Sequence, residues 1–367
     1  MPTYDRPVFR SKLVAKALAG EIRQDLDDTV GGISWWANYQ LGRDTLSELS
    51  HYAVSAAQSV ATNLDEAALH YFQYQERIRA EDIFLTRKLT EGRGQLTKLN
   101  ERQEIDRRRE AEIGAHRTAF FRSIGSTLDT LAGVTIVVSA LSLNVLRADF
   151  GMLCTSDTSD TYPRLTGPAG GKLRKALATD TSDGAHAQET LLRGIRAAVV
   201  AAGPPGWVQW TLETRNSFVH RSQWLKMTMH DRPHRTAPTN WIRPLPRTPA
   251  QSEGAALRAA DTLTDTYLTE DALASMHGVL ESVDAVIKAV IEQCSHLWTR
   301  RRANPHLLEQ PGSQWTAPTT AASFDGYRPG SAQRAFDNAD AILVHPTEGK
   351  RLLTLIDPQE ATPRRTK

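Results

Sequence analysis

Residues 116–146 read HRTAFFRSIGSTLDTLAGVTIVVSALSLNVL, the most apolar run in a chain of 367 residues. Phe121, Ile124, Leu128, Leu131, Val138 and Val145 form one helical stripe. Val134, Ile136, Val137 and Leu141 spread around the rest of the cylinder, so this helix should be buried on several sides. Asp129 is the sole charged residue between Arg122 and Arg147. The uncharged run after it is shorter than the ~18 residues that span a bilayer, and it contains Thr135, Ser139, Ser142 and Asn144. A core helix, and hence an all-α bundle wrapped around it, is the expected fold. A lone carboxylate in such a helix needs a partner. Arg215 is one candidate, and a local hydroxyl from Ser126 or Thr130 is the equally economical alternative.

Upstream, no proline occurs from Thr45 to Ile113, and Leu64, Ala68, Tyr71, Ile78 and Phe84 recur among many charges. The pattern predicts long N-terminal helices, antiparallel, with a break near Gly92-Arg93-Gly94. The run from Glu101 to Glu112 mixes acid and base with few apolar positions and reads as a solvated helix extending beyond the core. The N-terminal stretch MPTYDRPVFRSKLVAKALAGEI lacks the apolar core and cleavage site of a secretory signal, so a cytoplasmic location is expected.

Downstream, TSDTSDTYPRLTGPAGG at 155–171 marks a surface loop within the interval 151–186. A helix should resume from Ala187 to Ala202, stop at Gly203-Pro204-Pro205-Gly206 and be followed at once by another, giving an antiparallel pair. The second helix carries WVQWTLETRNSFVHRSQW, residues 207–224. Helical spacing puts Val208, Leu212, Arg215 and Val219 on one stripe and Gln209, Glu213, Asn216 and His220 on the next. Asn216 and His220 then stand one turn apart, within hydrogen-bonding reach. An arginine on an apolar stripe beside a supported imidazole is costly unless paired or used. The plainer reading has Arg215 snorkelling past its neighbours and His220 as an ordinary surface histidine.

The string Arg215-Asn216-Ser217-Phe218-Val219-His220 resembles the R-N-x-x-x-H signature of the HEPN superfamily, helical proteins that include metal-independent ribonucleases and silent, substrate-binding relatives. The resemblance covers residues 111–300. It implies an endoribonuclease in which the RNA 2′-hydroxyl attacks the adjacent phosphate, with no cofactor and no metal. His220 would be the general acid or base, Arg215 would stabilise the phosphorane charge, and Asn216 would orient the imidazole, with Asp129 and Glu213 in support. A homodimer that pairs two motifs is also implied, as is a role as a toxin or antiviral-defence effector. The alternatives are a silent HEPN-like RNA- or nucleotide-binding protein and a helical scaffold acting through its long charged helices, which could equally receive a regulatory protein partner.

Between Ser222 and Gln251 the prolines 233, 238, 244, 246 and 249 exclude a helix, and alternation from Trp224 to Met229 suggests a short strand in a hairpin arm. The arm is basic, with Arg221, Lys226, Arg232, Arg235, Arg243 and Arg247 against Asp231, and Trp224 and Trp241 offer stacking surfaces. Such a segment can track a phosphate backbone, and RNA is the expected partner. It can equally be a solvated flap over a helix edge. His230 and His234 flank Pro233, which spoils the helix that would align them on a metal.

A last helix is expected to begin at Thr269 as N-cap and to end in Arg300-Arg301-Arg302, where its dipole favours cations. Beyond Pro305 only 341–344 and 352–356 are apolar enough for a small hairpin. The sequence divides at 1–110, 111–302 and 303–367, into long N-terminal helices, a HEPN-like core and a tail. A net charge of +2 means that nucleic-acid affinity must come from a local patch. Cys154 and Cys294 lack the spacing of a zinc site or a disulfide framework.

Overall fold

The computed structural model describes residues 9–25, 43–93, 103–147, 149–153, 177, 179–220, 226–231 and 240–308. The C-terminal hairpin expected at 341–356, together with Arg221, Trp224, Arg232, His234 and Arg235, lies outside these residues.

The fold is an all-α bundle with two small two-stranded sheets. Helix α1 spans Arg10–Asp25, α2 Arg43–Glu91 and α3 Glu104–Ser139. Contacts between α2 and α3 run in opposite senses along the chain. Glu81 meets Arg109 at 2.9 Å, His70 meets His116 at 3.1 Å, and Asn63 meets Thr130 at 3.4 Å. The pair is therefore antiparallel, as the break near Gly92 predicts, with Arg93 in the left-handed region at φ 51°. The charged run is solvated at Glu104, Arg107, Arg108 and Glu110, as expected, but it does not stand clear of the core. Asp106 is buried, and Arg109 joins it at 2.6 Å to Glu81, so one face of this turn packs on α2. The three-residue step from 106 to 109 keeps both groups on that face.

Helix α3 is sheathed by protein over its apolar half. Every residue from Leu131 to Val138 is buried. It ends earlier than expected, at Ser139, because Ala140 turns left-handed at φ 50°. Leu141 N–H bonds back to Ile136 and Ala140 N–H to Val137, a closed helix terminus that satisfies the last carbonyls. Helix α3 passes unbroken through residue 110, and one buried cluster takes side chains from α1, α2 and α3 as well as from the later helices.

After the short helix α4, Phe150–Leu153, the chain forms α5, Asp183–Ala202, capped by Ser182, and then α6, Trp207–His220. Gly203 ends α5, and Gly206 at φ 82° turns the backbone into α6, a conformation that a side chain would strain. Strand β1, Met229–Asp231, pairs antiparallel with β2, Asn240–Ile242, so the hairpin forms later than the Trp224–Met229 alternation suggested. Strand β3, Pro244–Pro246, pairs with β4, Tyr267–Asp271. Between them lies α7, Glu253–Ala259.

The last long helix, α8, covers Ala272–Ala303, and its N-cap is Asp271 rather than Thr269. Asp271 accepts from Leu273 N–H at 2.8 Å and from Arg243 N–H at 2.7 Å, so the β3/β4 pairing claims the residues that capping rules alone would give to the helix. At its far end Arg301 does more than answer its own dipole. Fully buried, it donates to the Val137 and Val138 carbonyls at the end of α3, and burial pushes its pKa down to about 9. Arg302 and the Trp298 indole N–H both reach Asp25 of α1. Cys294 is buried, and its thiol is pushed up to about 12 by loss of solvent, which removes thiolate chemistry at that position.

Candidate functional site

Four residues of α3 set one turn apart, Arg117, Phe121, Gly125 and Asp129, form the edge on which α6 lies. The Arg117 guanidinium sits 4.9 Å from the centre of the Phe218 ring. Phe121 packs edge-on against Trp210 at 5.8 Å between ring centres and tilted against Phe218 at 5.6 Å. Gly125 leaves a gap through which Arg215 passes: a Cβ there would fall 2.2 Å from Arg215 Cδ. Asp129 closes the row.

Arg215 Nη1 lies 2.6 Å from Asp129 Oδ2, with about a quarter of each side chain still exposed. Of the two partners open to Asp129 on sequence, the structure selects the arginine, while Thr130 turns its hydroxyl to the Ser126 carbonyl. The other carboxylate oxygen, Oδ1, accepts from Phe150 N–H at 3.2 Å. One aspartate thus ties α3 to both α6 and the start of α4. Arg215 Nε donates to Asn216 Oδ1 at 3.2 Å, and Nη2 has no partner among the described residues.

The buried face of α6 differs from the expected stripe. Trp207, Val208, Thr211, Thr214 and Ser217 are buried, whereas Leu212, Arg215 and Val219 are only half so. Small hydroxyl residues let the helix approach α3 closely, and the Thr211 hydroxyl is satisfied by the Trp207 carbonyl at 2.7 Å. The Thr214 hydroxyl is buried without a partner among the described residues. Trp207 and Trp210 anchor the helix through their indole N–H groups, to the Val199 and Pro246 carbonyls.

His220 closes α6, and its backbone is helical. Five residues of helix rotate its Cα about 140° from that of Arg215. The imidazole position, and hence its bond to Asn216, falls outside the described side chains. Glu213 lies away from Arg215. It accepts from Gln209 at 2.8 Å and shares an open cleft with Gly206, Trp210 and Arg247.

The arm residues divide by environment. Lys226 and Arg247 are exposed, and Arg247 Nε donates to the Tyr267 carbonyl at 3.2 Å. Arg243 is drawn inward, with Nη2 2.5 Å from Asp82 Oδ1 on α2. Burial raises the Asp82 pKa in spite of that pairing, although about a third of its side chain still meets solvent. Trp241, expected as a stacking surface, is buried against Phe84 and Leu85 and donates to the Thr86 hydroxyl at 2.9 Å. It is a core residue of the arm, because an indole with its N–H satisfied gains more from burial than from exposure.

No helix among the described residues is long and apolar enough to cross a membrane, and no group of three or more His, Cys, Asp or Glu side chains among them could hold a metal. The chain matches no family model, no curated protein and no solved structure.

Proposed function

We propose that the chain is a metal-independent endoribonuclease of the HEPN type. The reading is carried by Arg215. Its guanidinium is fixed through Nη1 by Asp129 and through Nε by Asn216, and its Nη2 edge has no partner among the described residues. A cation oriented in advance, with one edge free, can take a phosphate oxygen without first paying to order itself.

In the reaction, the RNA 2′-oxygen forms a bond to the adjacent phosphorus as its proton passes to a base. The 5′-oxygen then leaves with a proton from an acid, and the products are a 2′,3′-cyclic phosphate and a 5′-hydroxyl. His220 takes one of these proton-transfer roles. The partner histidine of a homodimer would take the other, with Arg215 holding the charge that builds on the equatorial oxygens. RNA would approach along the exposed arm positions Lys226 and Arg247.

The test is incubation of the purified protein with mixed RNA in EDTA, wild type against His220→Ala. Cyclic-phosphate ends that appear only with the wild type, at a rate that rises faster than protein concentration, support the proposal. Strict dependence on added Mg²⁺ would sink it.

One observation favours a second reading, a silent relative that binds RNA without cutting it. Two of the three Arg215 nitrogens already serve protein groups, so the residue could be a structural tie. RNA retention with no cleavage in the same assay selects this reading.

A further inference from the structure

The seam between α3 and α6 has a cation at each end, Arg117 on α3 and Arg215 on α6, and among the described residues only Arg215 has a counter-charge. Arg215 has Asp129. Arg117 stacks on Phe218 and makes no ion pair among the described residues, and its Nε is buried with no acceptor. The carboxylates that act on Tyr74 beside it are committed elsewhere: Asp82 to the Arg243 side chain, and Asp271 to backbone N–H groups of Arg243 and Leu273. Segments 221–225 and 232–239, which follow α6 and lead into β2, contain no Asp or Glu at all. Burial pushes the Arg117 pKa down and that of neighbouring Tyr74 up, to about 12, so the hydroxyl beside it stays neutral and supplies no compensating charge.

An arginine whose Nε is held out of water over an aromatic face, without an acceptor, is costly to fold around. The ring attraction offsets part of that cost. Arg117 is only half-buried, and its Nη nitrogens are neither sealed in nor bonded among the described residues. The planar fork matches a phosphate edge.

We infer that Arg117 is a phosphate-contacting residue, which takes a phosphodiester of single-stranded RNA at the α3/α6 seam while Phe218 holds the guanidinium plane. The inference rests on the reading that this chain binds RNA, but not on its cutting RNA.

The experiment uses the full chain and a 2′-O-methyl single-stranded RNA, which cannot be cleaved, with affinity followed across a salt series. Arg117→Ala should weaken binding about tenfold, the worth of one charge-assisted hydrogen bond. It should also shrink the slope of log affinity against log salt by about 0.7. Arg117→Lys should keep the slope and recover part of the affinity. Circular dichroism checks that each variant is folded, and Arg117→Gln replaces the alanine if that variant does not fold. An unchanged slope in a folded neutral variant overturns the inference, as does failure of both neutral variants to fold, since Arg117 is then structural. Wild-type protein that does not bind RNA removes the inference and the functional reading together. Binding without cleavage of unmodified RNA removes only the nuclease.

Discussion

Arg215 reaches Asp129 only because Gly125 has no side chain: the arginine Cδ occupies the space a Cβ would take. Glycine inside a helix costs about 1 kcal/mol relative to alanine, so this position gives up local helix stability to seat an ion pair. Gly125→Ala should therefore expel Arg215 and lower stability, even though alanine is the better helix former. In an Arg215→Ala background the same change should stabilise by about 1 kcal/mol. Urea unfolding of the four proteins of this double-mutant cycle checks the reversal of sign. Additive effects would mean that the two residues do not compete for the same space.

Loss of Asp129 should cost more than loss of Arg215. Asp129→Asn leaves a half-buried guanidinium without its charge partner and weakens the acceptor of Phe150 N–H. With about a quarter of each side chain exposed, solvent screening limits the effect to roughly 1–2 kcal/mol. Equal losses for Asp129→Asn and Arg215→Met in chemical denaturation would count against the arrangement.

The His70 and His116 rings meet through their Nδ1 atoms at 3.1 Å across the α2/α3 seam. Both pKa values are lowered by burial. His116 adds to the effect at His70, and Arg77 at His116, while Glu66 and Glu112 oppose it. A base with a lowered folded pKa binds fewer protons than the unfolded chain just below the ordinary histidine value. Stability should therefore be full above about pH 6.5 and fall as the pH drops through that value. A His70→Asn, His116→Asn double variant should flatten this limb of melting temperature against pH. A slope identical to wild type would remove the pair as its source.

On the arm, Arg243 and Lys226 should separate cleanly. Arg243→Ala strands Asp82 on α2 and should lower the melting temperature. Lys226→Ala, at an exposed position, should leave it unchanged and lower RNA affinity in a salt-dependent way. The opposite outcome, a stable Arg243→Ala with weakened RNA binding, would return Arg243 to the nucleic-acid surface.

The helices of this protein were legible in its sequence because helical order is local. The apolar stripe from Phe121 to Val138, the proline-free run before it and the Gly203 to Gly206 breaker each act over a few residues, and the bundle follows from them. Asp129 was legible as a charge in need of a partner, and Arg215 as one candidate for it. Their pairing depends on two helices 86 positions apart in sequence, and only packing could choose it over Ser126 or Thr130. Gly125 and Arg117 carried a faint signal, since each lies a multiple of four residues from Asp129, but spacing alone does not say which edge of a helix meets a neighbour. The start of α8 was misplaced for a related reason. Thr269 and Asp271 are both good caps, and the long-range pairing of β4 with β3 took the first for a strand and left the second to the helix. Local propensity sets which elements can form, whereas the burial of Trp241, the direction of Arg243 and the division of the arm into core and surface were decided by tertiary contacts with α2, through the desolvation of groups that sequence leaves equally free to face water.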